Sequence, residues 1–197
     1  MRQDQFEKLK KAAEENGYIN IGISEDGTPV NSGMIPWERT ASAFNMKTPN
    51  VTLAASDLSD KVVLEALEKC TILGCYIFAP LKDYSFISGL KDLRDLFILH
   101  AENMKDLAFL RGLSDLFMFY LQDAVLLDLE PLAEAFSAGE QIPGKCLGLC
   151  SCRIKDVSAL TKAEIRFSEL LIWASEEDSE ERWKTALRPG TFRFRGK

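Results

Sequence analysis

Residues 93–116 read LRDLFILHAENMKDLAFLRGLSDL, and the spacing of their apolar members decides the fold. Leu93, Leu96, Ile98, Ala101, Met104, Leu107, Leu110 and Leu113 form one series. Cys70, Leu73, Cys75, Phe78, Leu81, Tyr84, Ile87 and Leu90 form the same series 23 residues earlier. A third copy runs through Leu116, Phe119, Leu121, Ala124, Leu126, Leu129 and Leu132, one residue shorter in its second half. A fixed period of roughly 20–29 residues marks a stacked repeat architecture. Within each copy the Leu96-x-Ile98 type of alternation places two apolar side chains on one face of a strand. The steps of three residues that follow fit a tight helical return. Neither half can bury its apolar side alone, so the pattern predicts coils stacked at about 4.8 Å, a parallel sheet and one continuous core.

Working outward, a weaker copy uses Val51, Leu53, Ser56, Leu58, Leu64 and Leu67. Beyond Leu132 the stretch Ala133 to Lys145 holds Gly139, Pro143 and Gly144 and breaks the register, which predicts an inserted loop. The template resumes at Leu147, Leu149, Cys152, Ile154, Val157 and Leu160, and a degraded copy uses Leu170, Ile172 and Ser175. Ahead of the repeats, Gln5 to Asn16 predicts an amphipathic helix stopped by Gly17. Tyr18 to Ile23 alternates, and Asp26-Gly27 signals a hairpin turn into Thr28-Pro29-Val30. Met34, Ile35, Trp37 and Phe44 are expected to cover the open end of the stack. The tail divides by charge: Glu176, Glu177, Asp178, Glu180 and Glu181 precede Arg182, Lys184, Arg188, Arg193, Arg195 and Lys197. Thr191 to Arg195 alternates as an edge strand would. Three regions follow: an N-terminal α/β cap of helix plus hairpin over 1–49, a repeat solenoid over 50–175 with its inserted loop at 133–145, and a C-terminal cap with a basic tail over 176–197.

The order L-x-x-L-x-L-x-x-N-x-L-x-x-L-x-x-L resembles the short leucine-rich repeats of the bacterial internalin type, over roughly residues 50–175. The resemblance implies an α/β, right-handed leucine-rich-repeat solenoid of about five coils with a parallel concave sheet, capped at both ends. It also implies a general role in binding other proteins. One slot departs from the family pattern. Where such repeats carry Asn, this chain has Ser56, Phe78, Ala101, Ala124 and Cys152, so each turn must satisfy its backbone groups by other means.

If the inward slots are filled by the L-x-L residues, their neighbours line the concave face. These include Ile72, Gly74 and Tyr76, then Asp95, Phe97 and Leu99, then Met118, Tyr120 and Gln122, then Cys146, Gly148 and Cys150, and then Leu171 and Trp173. Tyr76, Asp95, Phe97, Leu99, Met118, Tyr120 and Gln122 are the expected partner-binding residues, because aromatic and Met side chains are the types enriched at interface cores. The function expected is that of a non-enzymatic protein–protein interaction module. Three alternatives stand beside it. The same face could be covered by the N-terminal hairpin, by the 133–145 insertion or by a second copy in a homodimer. The basic tail could contact an acidic partner. The caps could carry an enzymatic or nucleotide-binding site with the repeats as scaffold.

Composition narrows the classes. The 197-residue chain is 46% hydrophobic and 27% charged, ordinary for a globular protein. A net charge of −6 and a pI near 5.0 argue against nucleic acid, which requires a basic surface. No apolar run approaches the ~18 residues of a membrane span, and Met1-Arg2-Gln3-Asp4-Gln5 leads into no apolar leader. A cytoplasmic protein is therefore expected. The five cysteines, Cys70, Cys75, Cys146, Cys150 and Cys152, are odd in number and predict free thiols. Cys146 and Cys150 share a strand face but lie about 13 Å apart along it, too far for one zinc ion. His100 is the single histidine, with Asp95, Asp123 and Cys150 as possible triad partners. It reads as a polar rim residue. No cofactor, metal or catalytic set is expected.

Overall fold

The computed structural model describes residues 3–29, 50–138, 145–163, 165, 167–173, 180–186 and 191–195. Helix α1 (Gln3–Asn16) ends where Gly17, at φ 75°, donates its amide to the Ala13 carbonyl. Strands β1 (Ile19–Ser24), β2 (Asn50–Ala54), β3 (Ile72–Ile77), β4 (Asp95–Ile98), β5 (Met118–Gln122), β7 (Lys145–Cys150), β9 (Phe167–Trp173) and β10 (Thr191–Arg195) form one sheet. Their order is β10-β9-β7-β5-β4-β3-β1-β2, and every neighbouring pair is parallel. The two-residue strands β6 (Val125–Leu126) and β8 (Arg153–Ile154) pair separately, also in parallel. The architecture is thus α/β on a parallel sheet. Among the described residues no helix is long and apolar enough to cross a membrane.

Parallel neighbours need a return path. Here it is supplied by α2 (Lys61–Glu68), by 3-10 turns at Ser85–Gly89 and Ala108–Leu110, by α3 (Glu130–Ala138) and by α4 (Ser158–Lys162). Each return begins with the same device. Asp60, Asp83, Asp106, Asp128 and Asp156 each accept, through a carboxylate oxygen, the backbone amide two residues on, at 2.8–2.9 Å. The main core lies between the returns and one face of the sheet. In register across it run Cys75, Leu96, Phe119, Leu147 and Leu170, and beside them Ile77, Ile98, Leu121, Leu149 and Ile172, all buried. Ser175, the final slot predicted for the last copy, lies outside the described residues, as do the covering apolar residues at 34–44.

Four expectations are corrected. Ile19–Ser24 is no hairpin arm: β1 is inside the sheet, parallel to β2 on one side and β3 on the other. The weak copy at Val51–Leu53 is therefore the outer edge of the sheet, and β1 separates it from β3. A local Asp-Gly signal cannot outweigh two long-range strand pairings that bury Ile19, Ile21 and Ile23 completely. Ile72 does not join Gly74 and Tyr76 on the outward face. Leu73 is the extra residue of a bulge opposite Ile19 and Asn20, and the bulge turns Ile72 into the main core. Finally, residues 133–138 are helix rather than loop, because Leu132, Ala133, Ala135 and Phe136 bury a common side.

The turn slot also differs from expectation in the first copies. β3 pairs with β4 as Cys75↔Leu96 and Ile77↔Ile98, an offset of 21, whereas β4 pairs with β5 at 23. Ala79, not Phe78, takes the inward slot, and Phe78 packs on the opposite face. One residue of the two-residue difference is absorbed where His100 enters the left-handed region at φ 60°, so that the inward slots Ala79 and Ala101 already stand 22 apart. Simple alternation after Ile98 would aim His100 inward; the left-handed residue keeps it exposed and returns Ala101 to the core. Asp123 (φ 63°) and Ser151 (φ 52°) do the same ahead of Ala124 and Cys152. The turns satisfy their backbones on neighbouring chain segments: Ala101 N–H donates to the Gln122 carbonyl, Asp123 N–H to Cys150, and Arg153 N–H to Ala124. Ser56 is exposed and leaves the Asn role to Asp57, whose buried carboxylate accepts from the Ala54 amide at 3.0 Å.

The last strand, β10, forms the far edge, as the alternation of Thr191–Arg195 predicts. In α5 (Glu180–Ala186), Trp183 is buried and the Arg182 guanidinium lies over its ring and donates to the Ile154 and Lys155 carbonyls.

Candidate functional site on the outward sheet face

The strand register builds the outward face in three rows. The middle row is Thr52, Gly22, Tyr76, Phe97, Tyr120, Gly148 and Leu171. Three rings stack along it: Tyr76 on Phe97 at 5.4 Å between centroids and Phe97 on Tyr120 at 5.7 Å. The Tyr76 phenol lies across Gly74. A Cβ added at Gly74 would come within 2.7 Å of Tyr76 Cε2 and Oη and 2.8 Å of Asn20 Oδ1, so a larger residue there would have to displace the Tyr76 ring and the Asn20 amide.

The row on the amino-terminal side carries Asn20, Gly74, Asp95, Met118, Cys146 and Glu169. Asn20, Asp95 and Glu169 make it more polar than the aromatic row beside it. Burial pushes the Asp95 carboxyl up to about 7, against a smaller opposing pull from the Arg94 guanidinium. Burial likewise raises the Cys146 thiol, whose sulfur sits 3.3 Å from the Ser168 hydroxyl. The row on the carboxyl-terminal side runs Phe78, Leu99, Gln122, Cys150 and Trp173, one step beyond the paired residues Ile77 and Ile98.

The structure brings the seven predicted partner-binding residues together but does not present them all to solvent. Tyr76, Phe97, Leu99, Met118 and Tyr120 form one cluster with Cys146 and Leu171, and Tyr120 is 0% exposed. The reading of this stripe as an open contact surface is therefore corrected. Alternation assigns residues to a face, but it carries no information on whether that face meets water. Half-exposed positions surround the cluster: Asp95, Gln122, Phe78, Phe117, Cys150 and Trp173. The Tyr120 hydroxyl makes no hydrogen bond of ordinary geometry. The group it faces is the Cys150 thiol, a weak partner. Burial raises the Tyr120 phenol and the Cys150 thiol alike.

At the carboxyl-terminal rim stand His100, Glu102 and Asp123, whose ligand atoms all lie within 4.8 Å of one another. His100 Nδ1 is 3.8 Å from Glu102 Oε1, and Asp123 Oδ2 accepts from Gln122 Nε2 at 2.9 Å. Sequence reasoning set Asp123 beside His100 only as a possible triad partner and missed Glu102. The signal was positional: His100 and Asp123 hold the same place in successive copies, 23 residues apart. Cys150 stands on β7, with β5 between it and β4, so it makes no triad with His100. All five cysteines are free thiols, and burial raises each one, Cys152 to about 12. Raised thiols are poor nucleophiles and poor ligands.

Comparison of the chain with protein-family models, with curated proteins and with solved structures finds no match.

Proposed function

We propose that this chain is a leucine-rich-repeat solenoid of the internalin-like kind, working as a non-enzymatic module that binds another protein across its sheet. The fold reading is supported by strands that follow one another across the sheet from β3 to β10 in parallel, with in-register Leu and Ile slots and short returns. The functional reading rests on one observation: at the carboxyl ends of the strands the aromatic Phe78 and Trp173 are half-exposed, with the Cys150 thiol and the Gln122 amide beside them. Large aromatic anchors ringed by polar groups are the composition of a protein contact. Ligands of parallel sheets also gather at this end of the strands. The buried stack of Tyr76, Phe97 and Tyr120 then acts as a rigid floor, and contact falls to its rim.

The test compares retention of binding proteins by the intact chain, by Phe78→Ser with Trp173→Ser, and by Val62→Ser on α2, a position 56% exposed and away from the sheet. A partner held by the intact chain and by Val62→Ser but lost from the double variant supports the proposal. Equal retention by all three refutes it. Self-association is the second outcome, read as a change in scattering mass with concentration that the double variant abolishes.

A further inference from the structure

We propose that His100, Glu102 and Asp123 form a binding site for a divalent first-row transition ion, best matched to Zn2+. One imidazole and two carboxylates are a donor set that zinc accepts. Their placement follows from the sheet. Because Ile98 pairs with Leu121, the turn residues two steps on, His100 and Asp123, are lateral neighbours on adjacent strands. Both hold left-handed backbone, which keeps each side chain outside the core and on the same side of the rim. Glu102 reaches the same point from two residues beyond His100. The ion would therefore join one turn to the next, with two ligands from the first and one from the second.

The distances suit an ion after small side-chain rotations. Zinc holds nitrogen and oxygen at about 2.0–2.2 Å, which sets ligand atoms roughly 3–3.6 Å apart in a tetrahedral shell. His100 Nδ1 and Glu102 Oε1 at 3.8 Å are close to that spacing, and the other separations in the group, all within 4.8 Å, need only small rotations, for which the exposed His100 and Glu102 have room. Among the described residues Glu102 has only His100 as an ion-pair partner and Asp123 has none. Two carboxylates at this range repel unless a cation lies between them. Ser151 marks the contrast. It has the same left-handed turn one strand further on, but carries a hydroxyl in place of a ligating ring or carboxylate. Three protein donors leave a coordination position for water or for a group on a bound partner.

The experiment titrates the metal-free full chain with Zn2+ by calorimetry, beside His100→Asn, Asp123→Asn, Glu102→Gln and Cys150→Ser. Asn tolerates left-handed backbone, so the first two variants keep the turn while losing the ligand. The expected result is one equivalent of Zn2+ bound by the wild type and by Cys150→Ser. His100→Asn and Asp123→Asn should weaken that affinity by at least about tenfold, the lower bound seen when even an outer-shell partner is removed. A zinc-dependent rise in melting temperature should follow the same order, since a ligand of the native state stabilises it by mass action. The assignment is overturned if the wild type takes up no saturable Zn2+. It is equally overturned if uptake survives in His100→Asn and Asp123→Asn, or vanishes only in Cys150→Ser.

Discussion

Phe97 stacks on Tyr120 with ring centroids 5.7 Å apart and planes 18° from parallel, both wholly out of solvent. The contact is made across the parallel β4–β5 pair, so it ties two neighbouring strands to each other. Truncation of Phe97 to Ala leaves a cavity between two tyrosines and should cost about 3–5 kcal/mol. Tyr120→Phe removes a buried hydroxyl that has no ordinary hydrogen bond and should be neutral or slightly stabilising. Urea denaturation of both variants checks the pair. A loss above about 1 kcal/mol in Tyr120→Phe would mean that the hydroxyl has a partner of real strength.

Asp95 makes the protein's stability fall where most carboxylates make it rise. Its folded-state pKa is lifted by burial to about 7, above the unfolded value of about 3.9. A carboxyl that binds its proton more tightly when folded contributes fully at low pH. That contribution is lost progressively as pH climbs from about 4 to about 7. Asp83 and Asp156 run the other way. Their turn hydrogen bonds to Ser85 and Ser158 depress them, so their contribution is present above the unfolded value and lost as pH falls through the folded one. Asp95→Asn should therefore gain on the order of 4 kcal/mol over wild type at pH 8 and little at pH 4. Melting curves across that range test the sign; a constant difference between the two proteins would refute it.

The aspartates that open the returns should behave as independent local devices. Asp60 accepts the Val62 amide at the start of α2, and Asp128 accepts the Glu130 amide at the start of α3, each at 2.9 Å. Either one replaced by Ala should cost about 1 kcal/mol. The sites lie several strands apart at about 4.8 Å per step, so the double variant should lose the sum to within about 0.5 kcal/mol. Chemical denaturation of the two singles and the double decides. A double loss well above the sum would show that the returns fold as one coupled layer.

Residues 93–132 were legible because their signal is redundant. Leu96, Ile98, Phe119 and Leu121 each repeat a neighbour's spacing, and all are fully buried. Register was less legible. Offsets of 21 and 23 keep the same residues on the same face, so a slip of two at Cys75 and Ile77 leaves the apolar pattern intact. The Asp-Gly at 26–27 misled because hairpin chemistry is local, whereas the partners of β1 begin at Asn50 and Ile72. Burial of Tyr76 and Tyr120 was beyond reach, since period two distinguishes two faces without saying which is wet. The recurring aspartates at 60, 83, 106, 128 and 156 were readable in principle. They are sparse polar positions beside a dominant apolar period, as is the shared position of His100 and Asp123.

That shared position carries an opposition between stability and binding. A non-glycine residue in the left-handed region costs roughly 1–2 kcal/mol, which glycine does not pay. His100→Gly and Asp123→Gly should each relieve part of that strain at the same φ. The expected gain is smaller, about 0.5–1 kcal/mol, because glycine also frees the unfolded chain. Ser151→Gly, the third such turn, should gain similarly and serves as the comparison. In added Zn2+ the order should reverse: wild type and Ser151→Gly should rise in melting temperature while His100→Gly and Asp123→Gly stay still. Thermal denaturation with and without the ion reads both halves of the argument at once. A gain from all three glycines with no zinc-dependent separation would mean that His100 and Asp123 are there only to turn the chain.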